Sequence, residues 1–173
     1  MLNPNDPSGS AAKTVGSRYD KDTHVLYAEM KGTVSVEDVA EWRKGLDREM
    51  NRIPDKARFK LLVDMDGYEP DSVQVHTAMR DIVPQLLASC GLRPAHIDLL
   101  AGSEEMEINR SSRIQCVAFA NVHHDETKMA SYEERIGKPN QRFFSDRKAA
   151  EDWLLGYPLD GAAASGEPAT AAT

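Results

Sequence analysis

A chain of 173 residues, 40% of them hydrophobic, has the material for one globular domain with a real core and is too short to suggest two. Its 21 basic and 28 acidic residues give a formal charge of −7, and no Lys/Arg patch interrupts that balance, which excludes a dedicated nucleic-acid-backbone binder. No window approaches the roughly 18 apolar residues of a membrane span, and the opening MLNPNDPSGSAAK has no apolar signal-peptide core, so a cytoplasmic protein is expected.

That opening stretch, residues 1–13, is rich in Pro, Asn, Ser and Gly and is expected to be a disordered tail. Residues 158–173, PLDGAAASGEPATAAT, are equally poor in large apolar side chains and are expected to form a second low-complexity tail, leaving 14–157 as the folded domain. It begins with two strands, TVGSRYD and HVLYAEMKG, joined by a polar loop at 20–23. Leu26, Ala28 and Met30 alternate onto one face, and Gly32 is expected to end the second strand. Ser35 with Asp38 has the form of a capping box for a helix carrying Val39, Trp42, Leu46, Met50 and Ile53, which Pro54 stops.

FKLLVDM is an apolar run of strand length, buried on both faces, with Asp66-Gly67 turning the chain after it. Asp71 and Gln74 offer a cap for the next helix, whose apolar positions are Val75, Met79, Ile82, Val83, Leu86, Leu87 and Cys90. Gly91 is placed to stop it and Pro84 to kink or divide it. In the segment 92–112 the pattern is weak: HIDLL reads as a strand and SEEMEIN as a short helical turn. RIQCVAFANV then reads as the central strand, running into His123, His124 and Asp125. A helix follows at 127–136 through Met129, Tyr132 and Ile136, closed by Gly137 and Pro139. QRFFS is a brief strand, and Ser145 or Asp146 caps a last helix that should bury Ala149, Ala150, Trp153 and Leu154. Cys90 and Cys116 read as small core hydrophobes. The alternation of strands and helices predicts an α/β single-domain fold, a mixed sheet with parallel central strands, right-handed crossovers and about four helices.

The element order, together with MKG before SVEDVAEW, LLVDMDGYEP, VAFANVHHD with YEE downstream, and RFFSDRKAAEDWLL, resembles the STAS superfamily and more closely its SpoIIAA-like branch. The resemblance covers most of 19–155 and rests on core and turn residues. It implies a non-catalytic regulatory or binding module that takes a partner protein or an apolar, lipid-like ligand, with peripheral membrane contact within the family's range. Two departures stand out. The regulatory members' Asp-Ser-Ser-Gly turn is here Asp71-Ser72-Val73-Gln74, which keeps one serine, and the segment 92–112 is extra.

Four positions are the candidate ligand contacts: His123, His124, Asp125 and Tyr132. An apolar strand ending in polar residues is where open α/β sheets usually place a ligand. An imidazole beside a carboxylate is also a proton-transfer pair, but adjacent strand residues point to opposite faces, so the two histidines share a metal only if the chain has already turned; Asp125 is equally an ordinary helix cap. Ser72 is the candidate phosphorylation site, with capping as its plain alternative. Asp64 and Asp66 superficially resemble the opening motif of haloacid-dehalogenase phosphatases, although no later acidic pair supplies magnesium ligands. No phosphate-binding glycine loop, nucleophile elbow or CxxC is present, so neither cofactor nor metal is expected. The enzyme alternative, a metal-dependent hydrolase or phosphatase, would have to use His123, His124 and Asp125 or the Asp64/Asp66 pair. Segment 92–112, with Ile97, Leu99, Leu100, Met106 and Ile108 among polar residues, is expected to act as a flap over an apolar pocket.

Overall fold

The computed structural model describes residues 12–99 and 106–161, and most of the expected tails at 1–13 and 158–173 lies outside them. Two antiparallel strands come first, β1 (Thr14–Asp20) and β2 (Val25–Val34), in register from Thr14 opposite Lys31 to Asp20 opposite Val25. Helix α1 (Val36–Arg52) follows, then β3 (Arg58–Met65), the short β4 (Tyr68–Pro70), α2 (Val73–Ser89), a 3-10 helix (Ala95–Leu99), β5 (Gln115–His123), α3 (Glu126–Ile136), β6 (Gln141–Phe144) and α4 (Arg147–Gly156). The sheet order is β1-β2-β3-β5-β6, with β4 paired to the end of β2; β2, β3, β5 and β6 are all parallel. The mixed α/β sheet with a parallel centre and four helices is the architecture expected from the sequence.

The strand alternation divides the core into two layers. Phe59, Leu61 and Val63 of β3 face the larger one, with Trp42 and Leu46 of α1, Val75, Met79 and Leu87 of α2, and Met129 and Ile136 of α3. Leu62, Ala118, Ala120 and Val122 face the smaller one, closed by Ala150, Leu154 and Tyr157. Both faces of β3 and β5 are therefore covered, which is why their sequences read as near-continuous apolar runs. Ser35 and Asp38 form the expected capping box, and Asp146 caps α4 through the Lys148 N–H.

Several local expectations are corrected. Gly32 does not end β2: at φ 79° it bends the strand, donating its N–H to the Gly67 carbonyl at 2.9 Å, so that Gly32 to Val34 pair with β4. A side chain would be strained in that left-handed conformation. The cap of α2 is Ser72, whose Oγ accepts the Val75 N–H, rather than Asp71. Pro84 does not divide α2, which runs unbroken past it. A mid-helix proline costs about 3 kcal/mol, and the buried Ile82, Val83, Leu86 and Leu87 around it, each worth about 1.5–3 kcal/mol, outweigh that. Ala149 is exposed and Trp153 only half-buried, so α4 buries a narrower stripe than its sequence suggests.

His96 to Leu99 of HIDLL lie in the 3-10 helix instead of a strand, and Leu100 lies outside the described residues. Both edges of β5 are already taken by β3 and β6, and a side chain fixes the backbone just before this segment. Gln141, 2% exposed, accepts the Ala95 N–H at 2.7 Å through Oε1 and donates to the Arg93 carbonyl at 2.8 Å through Nε2. Of the expected SEEMEIN turn, residues 103–105 lie outside the described residues and Met106 to Asn109 are irregular.

One irregularity in β5 decides what the sheet presents. Phe59 pairs with Cys116, but Lys60 pairs with Ala118, so Val117 is an extra residue and β5 changes phase there. Without the bulge, Ala118, Ala120 and Val122 would share a face with Cys116. With it, Phe119, Asn121 and His123 take that face, and the small residues turn toward α4.

Candidate functional site

The phase change aims Phe119, Asn121 and His123 into a cavity of about 390 Å³ between α2 and α3. Its floor is β3 and β5, through Val63, Met65 and Phe119; α2 supplies Met79, Val83 and Pro84, and α3 supplies Met129 and Tyr132. The 3-10 helix contributes His96 and Leu99, and β4 contributes Tyr68 and Pro70. The size and apolar lining are those of a small-molecule site. Pro84 has no N–H to offer the Arg80 carbonyl four residues back, and both residues line the cavity, so the helix wall carries a carbonyl without its usual intrahelical partner.

His96 is held by the Gln141 clamp on the preceding residues. Its ring lies 5.1 Å from Phe143, 5.8 Å from Phe119 and 6.3 Å from Tyr132, centroid to centroid, the contacts to Phe143 and Tyr132 being edge-on. Burial in this aromatic box, with a smaller contribution from Lys128, pushes its pKa down to about 4, so His96 is neutral at neutral pH. Its Nδ1 has no hydrogen-bond partner among the described residues, and neither do the Tyr68 hydroxyl and Asn121 Oδ1, both also from cavity-lining residues. Thr23 Oγ1 and Trp42 Nε1 are buried without partners elsewhere. Burial, and then Asp71, raises the Tyr68 pKa, which keeps the phenol protonated.

At the rim the two histidines come together. β5 ends at His123 and the chain turns, so the rings stack at 4.3 Å and 24° and both line the cavity. Strand alternation no longer applies at His124. Gly67 N–H donates to His124 Nδ1 and Asp125 N–H to His123 Nδ1, each at 3.1 Å. Neutral rings accepting at Nδ1 carry their proton on Nε2, so each retains a donor. Burial, then Lys128 and His124, lowers the His123 pKa. Tyr132 also lines the cavity, with Lys128 Nζ 5.8 Å from its ring centroid. Asp125 does not line it: its carboxylate accepts the Lys128 N–H as the cap of α3. Among the described residues, no three His, Cys, Asp or Glu side chains group as metal ligands would.

No family model matches the chain, and no curated protein matches it. Among solved structures it is similar to an uncharacterized protein from the DUF3478 family with a SpoIIAA-like fold from Shewanella loihica PV-4, at 15% identity and a TM-score of 0.48 over 82% of this chain and 92% of that one. No residue of the cavity takes a role from that likeness. No helix among the described residues is long and apolar enough to cross a membrane.

The remaining sequence candidates lie elsewhere. Asp64, fully buried, points to the α4 side. Its Oδ2 is 2.8 Å from Lys31 Nζ and 3.0 Å from Arg147 Nη1, its Oδ1 accepts the Asp66 N–H at 3.0 Å, and Arg147 also reaches Glu29. A carboxylate so engaged is not poised as a nucleophile; Asp64 is the penultimate residue of β3, and Asp66 lies in the turn between β3 and β4. Ser72 is partly buried as the α2 cap.

Sequence reasoning missed His96, Asn121 and Tyr68. Asn121 left a signal: it is the one amide in VAFANV and stands two residues before His123, on the same strand face. His96 left none, because its placement depends on Gln141, 45 residues later in the chain.

Proposed function

We propose that this protein is a non-catalytic STAS-like binding module whose ligand is a small, largely apolar molecule held between α2 and α3. The observation that carries this reading is the coincidence of an apolar-walled cavity with three unpartnered buried polar atoms, Tyr68 OH, His96 Nδ1 and Asn121 Oδ1. Buried polar groups in native proteins are hydrogen-bonded in the great majority of cases, and an orphan costs about 1–3 kcal/mol. Three around one cavity are best accounted for by a partner that enters it. Apolar walls supply affinity, and the polar atoms set orientation.

Native mass spectrometry of protein purified from its host tests this. A bound small molecule should be released on denaturation and be missing from a Val83→Trp variant, which fills the cavity. An apo mass, together with no thermal stabilisation by medium-chain amphiphiles, would overturn the reading.

A further inference from the structure

The rim of the cavity differs in charge from the rest of the molecule. The chain carries 28 acidic residues against 21 basic ones, yet no aspartate or glutamate is among the described residues that line the cavity, whereas Arg80, Lys128, His76, His123 and His124 are. His76, Arg80, His124 and Lys128 are exposed, so these groups stand at the opening and not among the buried apolar walls. Lys128 has no carboxylate at ion-pair distance among the described residues, and Arg80 has only Asp81, through Nε at 3.5 Å with both side chains more than half exposed. The stacked histidines spend Nδ1 on backbone N–H groups, which leaves Nε2–H as their donor.

The geometry points to an amphipathic organic anion as the ligand: its body, apolar but for polar groups that meet Tyr68, His96 and Asn121, lies between α2 and α3, and its carboxylate is held at the rim by Arg80, Lys128 and the His123/His124 pair. This rests on the cavity reading and adds the charge of the head group. A carboxylate accepts several charge-assisted bonds at once with ionised partners of opposite sign, whereas the hydroxyl of the alcohol of the same chain length is a neutral acceptor whose bonds are roughly half as strong. A wholly polar anion would leave Val63, Met79, Val83 and Met129 facing a group they cannot solvate.

Calorimetric titration with octanoate and with 1-octanol at pH 7.5 separates the two layers of the argument. Octanoate should bind about tenfold tighter than octanol, the equivalent of about 1.4 kcal/mol. In an Arg80→Met/Lys128→Met variant that preference should fall to about threefold or less, with only the His123/His124 donors left to the carboxylate. Both substituted side chains are exposed, so the variant should fold, and its thermal unfolding serves as the check. Equal affinity of the wild-type protein for the two probes would overturn the anion assignment and leave the apolar cavity standing. An undiminished tenfold preference in the variant would overturn the role of these two cations. Binding of neither probe would overturn the cavity reading itself.

Discussion

The buried polar groups beside α4 and those in the cavity wall differ in how far they are satisfied. Toward α4, Lys60 and Asp64 are 4% and 0% exposed, and both are satisfied. Lys60 Nζ donates to the Leu154 and Tyr157 carbonyls at 2.6 and 2.9 Å, tying down the C-terminal end of α4, and Asp64 holds two cations and a backbone N–H. Toward α2 and α3, Tyr68, His96 and Asn121 each keep a buried polar atom unpartnered. Burial alone therefore does not mark a functional residue in this protein. A buried polar group with every bond made is part of the scaffold, and one with bonds unmade beside a cavity is available to a ligand.

This contrast can be broken or sharpened by experiment. The largest effect should come from Asp64→Ala, which strands Lys31 and Arg147 without their shared carboxylate. Loss of one partner from a buried pair costs about 3–5 kcal/mol, and the lower end applies here because the two cations are 27% and 37% exposed and can turn toward water. Urea denaturation measures it, and a loss below about 1 kcal/mol would mean the charge cluster is not scaffold.

Next is His96. The unfolded chain takes up its proton near 6.5 and the folded protein only near 4, so between those values the unfolded state binds more protons and is favoured. The stabilisation is complete above pH 6.5 and is lost as pH falls to 4, by up to about 3 kcal/mol. His96→Phe should flatten that part of the stability–pH curve, and a slope that survives the substitution would place its origin elsewhere.

Lys60→Met should cost about 2 kcal/mol, because two carbonyls at the end of α4 lose their donor. Hydrogen exchange should show the loss first at the amides of that helix. The smallest effect has the opposite sign. Asn121→Val removes an unpartnered amide and should raise the stability of the ligand-free protein by about 1 kcal/mol while weakening ligand binding. If Asn121→Val instead destabilises as Lys60→Met does, the two sets of buried polar groups are not different in kind.

The fold was legible because its signals are local. The Ser35/Asp38 box, the FKLLVDM run and the 3.6-residue apolar spacing of α1 and α2 each carry their meaning within a few residues. The rim of the site was legible for the same reason, since His123 and His124 close the central strand. The interior of the site was not. His96 is positioned by a buried glutamine on another strand, Tyr68 by a turn whose Gly67 donates to His124, and the cavity face of β5 by an extra residue that no alternation pattern contains. Such long-range choices override local pattern, as the 3-10 helix at Ala95–Leu99 also shows.

The bulge at Val117 makes β5 a strand of two separable halves. Before it, the chain serves as an anchor, with the Cys116 N–H bonded to the Cys90 carbonyl at the end of α2. After it, alternate positions face the cavity while their neighbours, Ala118, Ala120 and Val122, meet α4. Asn121 and His123 can therefore change identity without touching the anchor or the α4 contact, whereas Phe119, fully buried against His96 and Phe143, is part of the core. Under the proposed binding role, those two positions could be retuned to a different ligand at little cost to the sheet that carries them.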